Sequence, residues 1–338
     1  MTRTTDTDPP GLREVAAAAG VSVTTVSNVL NSTGRYSERT RERVEEAISS
    51  LGFVRNRSAF ELRTKARTII GLLVPDLSNS FFARLARGVI QSAAEKNRLV
   101  VVSDSANDAQ RQVENLDSLS ELQVNDLIVL PVDGADDLLE RWRPHPLTAA
   151  VLVANSVPAD FCSVAVDDEQ GGYLAARHLI DQGRRRLVFV APRTRSSVLS
   201  ARFRGASQAA EHFDAAVEWR EIARPDVQAG VAAARRLVDE GVEFDGVLGV
   251  NDLVAIGMLR AFREHSVTVP DQVAVVGYDD LERAQDLPIP LTSVRQPTLE
   301  IGRLALRMLL GERTEAKHEH RHHRLAPELV ARASTVAA

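Results

Sequence analysis

The 338-residue sequence predicts an α/β protein that carries a small helical head. Three observations predict it. From Ile69 onward, short β-rich runs alternate with amphipathic helical stretches, the pattern of βαβ units in doubly wound parallel sheets with helices on both faces. Residues 11–51 carry helical periodicity alone, and residues 52–68 between the two regions are polar and basic with no core pattern. The charge divides at the same place. Residues 1–67 hold 11 Lys+Arg and 8 Asp+Glu, against 30 and 38 in the rest, so a basic head precedes an acidic body within a chain of net charge -5. Such asymmetry turns the head toward a polyanion, although a solvated surface can carry the same surplus.

In the head, Leu12, Val15, Ala16 and Ala19 recur at helical spacing and form one apolar stripe. Gly20 breaks that helix and supplies a tight turn. Ser22 is a good N-cap for a second helix reaching about Leu30. Val26, Val29 and Leu30 face back onto the first helix, and Thr24, Thr25 and Asn28 fall on the opposite face. Short hydroxyl and amide side chains on such a face can reach base edges in a major groove. A third helix, Glu38 to Leu51, turns Val44, Ala47, Ile48 and Leu51 inward. This is a helix-turn-helix pattern, with an ordinary three-helix module as the alternative.

In the body the β-rich runs are Ile69–Val74, Leu99–Val102, Asp126–Leu130, Ala149–Val153, Leu187–Val190, Val247–Val250 and Val273–Val276. Helical segments between them include Phe82–Lys96, Gly172–Gln182, Ala229–Glu240 and Leu253–His265. The body is long enough for two sheets. Asp76, Asp104, Asn251 and Asp279 each follow a strand, where ligands bind in open α/β sheets. Asp and Asn at that position also serve as helix caps, so the pattern leaves both roles open.

Several classes are disfavoured. A single cysteine, Cys162, allows no internal disulfide and fits a reducing compartment. No apolar run approaches the roughly 20 residues of a membrane span, and the polar N-terminus MTRTTDTDPPG has no signal core, so a cytoplasmic protein is expected. There is no Gly-rich phosphate loop, no serine nucleophile elbow and no metal-ligand spacing, so neither an enzyme nor a cofactor is expected. Four of the eight histidines lie in His318-Glu-His320-Arg-His322-His323. Such a tract can bind metal, but alternation within a polar strand explains it as simply, no cysteine lies nearby in sequence, and no metal site is expected.

The stretches Leu12–Asn31, Ser37–Val44 and Leu51–Asn56 strongly resemble the start of the lactose-repressor (LacI/GalR) family, and the resemblance continues over nearly the whole chain. It implies a helix-turn-helix in residues 1–56, a hinge helix in 57–67, and a body in 68–338 with the fold of periplasmic sugar-binding proteins. The two subdomains would span about 68–166 with 296–320, and 167–295 with 321–338, joined by three crossovers. On the second helix, Val23, Thr24 and Asn28 would read bases, while Ser22, Thr25 and Asn31 would contact phosphates or support the fit. Many members carry Arg or His where this chain has Asn28; Asn prefers adenine and Arg guanine, so the preferred operator would differ.

The segment Asn56–Thr64 resembles the family's hinge helix. Helices below about 12–15 residues are marginal alone, so it should order only on DNA. Arg57, Ala59 and Leu62 are the hinge candidates, with Leu62 wedging into the minor groove above a central CpG step. Matches at Gly71–Phe82, Val166–Leu179, Arg202–Gly205, Asn251–Gly257 and Val276–Asp280 nominate Asp76, Asn79, Phe81, Arg202, Asn251 and Asp279 as effector contacts. Two departures, Ala206 and Pro225, fall where relatives place aromatics, which favours a sugar or polyol over a purine. The expected protein is a homodimeric, effector-controlled repressor on a pseudo-palindromic operator of double-stranded DNA, with no membrane partner. A leucine-rich tetramerising tail is not seen after Leu329–Thr335, which favours the dimer.

Overall fold

Helix α1 (Leu12–Ala19) ends at Gly20, whose left-handed φ of 60° lets the backbone N–H groups of Gly20 and Val21 reach back to the carbonyls of Ala17 and Ala16. That closure turns the chain into α2 (Val23–Leu30) within three residues. A Ser37 cap, accepting from the Thr40 N–H, starts α3 (Glu38–Leu51). Val15, Val26 and Val44 meet at the centre with no exposure. Burying each contributes roughly 1.5–3 kcal/mol, enough to hold three short helices that would not form alone. The computed structural model describes residues 10–30, 33–53, 69–132, 149–154, 157, 159–193, 197–314 and 318–336. The chain divides into two units, residues 1–67 and 68–338.

The second unit contains two six-stranded sheets of one design. In the first, β2 (Leu99–Asp104), β1 (Ile69–Val74), β3 (Asp126–Val129), β4 (Ala149–Val153), β5 (Cys162–Val166) and β11 (His322–Leu325) lie side by side, all parallel. The second repeats that order as β7 (Ala216–Glu221), β6 (Arg186–Ala191), β8 (Gly246–Gly249), β9 (Ala274–Tyr278), β10 (Thr292–Arg295) and β12 (Glu328–Val330). Among the described strands only β12 runs antiparallel. Central strands such as β3, β8 and β9 are buried throughout because helices cover both faces, so they read as continuous apolar runs. In both sheets the strand order reverses next to the second strand from the edge, between β1 and β3 and between β6 and β8. At such reversal points the crevice beyond the carboxyl ends of the strands takes ligands.

The chain passes between the sheets three times: after β5, after β10 and after β11. One expected boundary moves. The return to the second sheet, expected between residues 320 and 321, falls between Leu325 and Glu328, because β11 pairs with β5 in the first sheet. Its sequence, His-His-Arg-Leu, is mostly exposed, as suits a sheet edge that must not recruit another strand. Polar edges also explain why β7, half exposed along its length, gave no apolar run to read.

Helices α4 (Ser80–Ala94), α5 (Ala109–Glu121), α6 (Asp168–Asp181), α7 (Ser197–His212), α8 (Val227–Asp239), α9 (Asp252–Glu264), α10 (Glu282–Gln285) and α11 (Thr298–Thr314) follow in chain order, and α6 and α7 pack unusually close. A methyl group at Gly205 would strike the Glu169 carbonyl, and one at Gly172 the Arg202 carbonyl. Glycine at both positions lets the backbones touch, and that approach delivers Arg202 to the start of α6.

Candidate DNA-reading face and effector cleft

Helix α2 turns Val26 and Val29 into the core and leaves Ser22, Val23 and Thr24 exposed. Val23 is 39% exposed. A valine beside hydroxyls matches the mixture of thymine methyl groups and hydrogen-bonding edges in a major groove. Ser22 also has a local task. Its Oγ accepts from the Thr25 N–H at 3.1 Å and lies 2.8 Å from Thr25 Oγ1, capping the helix. Asn28 is half-buried against Gly34, where any Cβ would come within 2.9 Å of its amide nitrogen. One residue escaped the sequence reading: Arg43 on α3 donates through Nη2 to the carbonyls of Ala19 and Gly20, fastening the turn before α2. Its only sequence signal is its place beside the inward-facing Val44. Asn31, Arg57, Ala59 and Leu62 lie outside the described residues.

In the body, three of the six nominated effector residues come together at the reversal point of the second sheet. Arg202 is 7% exposed, with Nε donating to Asp168 Oδ1 and Nη1 to the Val250 carbonyl, each at 2.8 Å. Its guanidinium stacks 3.5 Å from the Tyr278 ring centroid, and the Tyr278 hydroxyl donates to the same Asp168 oxygen at 3.1 Å. Burial disfavours the cation, but Asp168, Tyr278 and Asp279 outweigh it and hold the Arg202 pKa above its ordinary value. Asp279 accepts from Gln296 Nε2 at 2.6 Å. Burial pushes its carboxyl up to about 6, against the pull of Arg202. Asn251 is spoken for at both ends: Oδ1 caps α9 (Asp252–Glu264) by accepting from the Val254 N–H, and Nδ2 donates to the Pro225 carbonyl.

The loop after β9 is fixed in an uncommon shape. Asp279 and Asp280 both have positive φ, 106° and 50°. Such backbone persists only where its surroundings over-determine it. Here Asp252, fully buried, accepts from Ser293 Oγ and the Leu281 N–H, each at 2.6 Å. Burial and neighbouring Asp279 raise the Asp252 pKa well above the carboxylate range. Asp280 joins Arg295 Nε at 2.7 Å and Arg332 Nη2 at 2.5 Å, tying the loop to β10 and to the segment that follows β12.

The other nominated residues line the first sheet. Asp76 follows β1, accepts from the Ser78 N–H at 2.8 Å and lies 3.3 Å from Asn107 Nδ2. Asn79 caps α4 (Ser80–Ala94) by accepting from the Phe81 N–H. Phe81 leans edge-on against Phe82, with centroids 5.0 Å apart. From α4, Arg84 crosses to the second subdomain and donates to the Asp280 carbonyl at 3.1 Å. Sequence reading missed Asp168, Tyr278, Gln296 and Arg84. The first three sit beside nominated residues in the chain or the fold, and their roles appear only once the sheets bring them together.

Residues 11–56 match the model of bacterial regulatory proteins, lacI family, and residues 176–335 that of a periplasmic binding protein-like domain. Over 334 residues the chain is 30% identical to the ribose operon repressor of Escherichia coli (strain K12), covering 96% of this chain and 99% of that one. The chain belongs to the lacI family of bacterial regulatory proteins. It is also 28% identical over 326 residues to the HTH-type transcriptional repressor PurR of Photobacterium profundum, covering 96% and 98% of the two chains. Among solved structures it resembles a lac repressor dimer bound to operator and the anti-inducer ONPF, with a TM-score of 0.84, 26% identity and coverage of 98% and 100%. It resembles the transcriptional regulator CelR–cellobiose complex with a TM-score of 0.71, 30% identity and coverage of 96% and 99%. As in other lacI-family chains, a helix-turn-helix head precedes a two-sheet body. No helix among the described residues is long and apolar enough to cross a membrane.

Proposed function

We propose that this lacI-family chain is a cytoplasmic repressor that binds a pseudo-palindromic operator as a homodimer and is controlled by a sugar or polyol. The carrying observation is the buried polar centre of Arg202, Asp168, Asp279 and Tyr278 at the carboxyl ends of β6, β8 and β9. A charged centre of this kind is costly to bury and adds little to a fold, so a ligand role accounts for it better than a stability role. Arg202 and Asp279 would take hydroxyl groups from one side of the cleft, and Asp76 with Asn79 from the other. Asn251 would act chiefly by placing its helix and the Pro225 loop. With Ala206 buried and Pro225 in place of an aromatic, the centre favours hydroxyl recognition over ring stacking. The relatives named for ribose and solved with cellobiose support the same ligand class.

Val23, Thr24 and Asn28 would read bases, with Ser22, Thr25 and Asn31 supporting the fit. Arg57, Ala59 and Leu62 would order as a hinge on the minor groove. Effector binding would change the angle between subdomains, and the Arg84–Asp280 bond, which spans them, would change with it. DNA and effector affinities are then linked reciprocally. The test is selection of an operator from random DNA by the purified full chain, followed by a sugar panel scored for release or tightening. Chemical conversion of a bound sugar would point instead to an enzyme. Failure to select any site at low salt, with and without sugars, would sink the proposal.

A further inference from the structure

The histidine tract acquires a partner that its sequence does not show. Cys162, on β5, lies with its Sγ 3.0 Å from His318 Nε2 and 3.8 Å from His320 Nδ1. Glu312, from helix α11 (Thr298–Thr314), completes a set whose donor atoms all lie within 4.8 Å of one another. These four residues come from three elements: the end of α11, β5, and the segment entering β11. In a tetrahedron with zinc–sulfur near 2.3 Å and zinc–nitrogen near 2.0–2.1 Å, neighbouring donors sit roughly 3.3–3.7 Å apart. The two sulfur–nitrogen distances bracket that range.

The geometry points to a structural zinc site made by Cys162, Glu312, His318 and His320. The chemistry is consistent. Thiolate and imidazole suit a borderline-soft divalent ion, and one thiolate with one carboxylate cancels its two charges where Cys162 is buried. The Arg321 N–H lies 3.5 Å from the sulfur and points a donor at it, a contact that supports a thiolate. His320 is exposed and gives the ion a way in. Four protein donors leave no open position, so the site would be a staple with no catalytic role. It would pin α11 to the edge pair β5–β11, just before the third crossover.

Binding converts the Cys162 thiol to a zinc-bound thiolate and releases one proton to solvent, so affinity rises with pH. The test uses the untagged, metal-free full chain. Titration with cobalt(II) should give a thiolate-to-cobalt charge-transfer band and tetrahedral ligand-field bands, saturating at about one equivalent and lost on adding zinc. Zinc should raise the Tm of the wild-type chain. Cys162→Ser should remove the charge-transfer band. Because Cys162 is buried and its variant could unfold, His320→Ala provides the second arm. That exposed change should keep the fold yet weaken zinc binding by an order of magnitude and abolish the thermal shift. An octahedral cobalt spectrum without charge transfer in the wild type, or unchanged zinc affinity in His320→Ala, overturns the site. Either readout is independent of DNA or sugar binding.

Discussion

Replacing Arg202 with leucine tests whether the buried polar centre is arranged as described. The change removes the 2.8 Å bond to Asp168, the 2.8 Å bond to the Val250 carbonyl and the cation over Tyr278. A hydrogen bond to a charged group contributes about 1.5–3 kcal/mol. Removing one partner of a buried ion pair costs about 3–5 kcal/mol, because the other charge is left behind. Here Asp168 and Asp279 both remain, so the upper part of that range is expected. At roughly 2–4 °C per kcal/mol for a unit of this size, Tm should fall by about 10–20 °C. Arg202 also holds the Asp279 pKa down. Without it the Asp279 carboxyl resists ionisation more strongly, so the loss should be smaller at pH 5 than at pH 8. Denaturant titration of Arg202→Leu, Asp168→Asn and the double variant at both pH values measures the pair directly. Additive effects, or a loss below about 1 kcal/mol at pH 8, would refute the buried pair.

Other expectations follow from single contacts. The Asp279 carboxyl binds its proton more tightly folded than unfolded, so its contribution favours folding fully below pH about 4 and is lost as pH rises through about 6. Asp279→Asn should remove about 3 kcal/mol of that pH dependence, read from denaturation midpoints between pH 4 and 8. Gly205→Ala forces a methyl group into the Glu169 carbonyl and should cost about 1–3 kcal/mol by thermal melting. Asn28→Arg should move the selected operator toward guanine at one position of each half-site, and an unchanged site rules out base reading by residue 28. Leu62→Ala should leave a folded dimer by sedimentation but with weak operator affinity, and wild-type affinity would remove the wedge role.

The head was almost wholly legible in the sequence, because its structure is local. A stripe at Leu12, Val15, Ala16 and Ala19, a glycine at 20 and a cap at Ser22 act within one or two turns of each other, and the three helices appear at the positions they mark. In the body, most buried strands announced themselves as apolar runs, whereas the short buried β5, interrupted by Ser163, and the edge strands β7 and β11, which water covers on one side, did not. Asp76, Asn251 and Asp279 were recognisable by their place after strands, and Asn79, Phe81 and Arg202 only through the family resemblance, but the work of none was legible. Asn251 acts as a helix cap, a role the pattern had left open, and so does Asn79, for which no such role was read.

By itself the sequence determined most of the elements, the divided charge and the family resemblance, all of which rest on neighbours in the chain. Only the tertiary structure decided which distant groups share a buried space. Arg202 meets Asp168 because two glycines let α6 and α7 touch, Arg84 reaches Asp280 from 196 residues away, and Cys162 meets His318 because β11 pairs with β5. Burial then sets the strength of each such meeting, since charges and donors that water would screen interact strongly once the sheets exclude it.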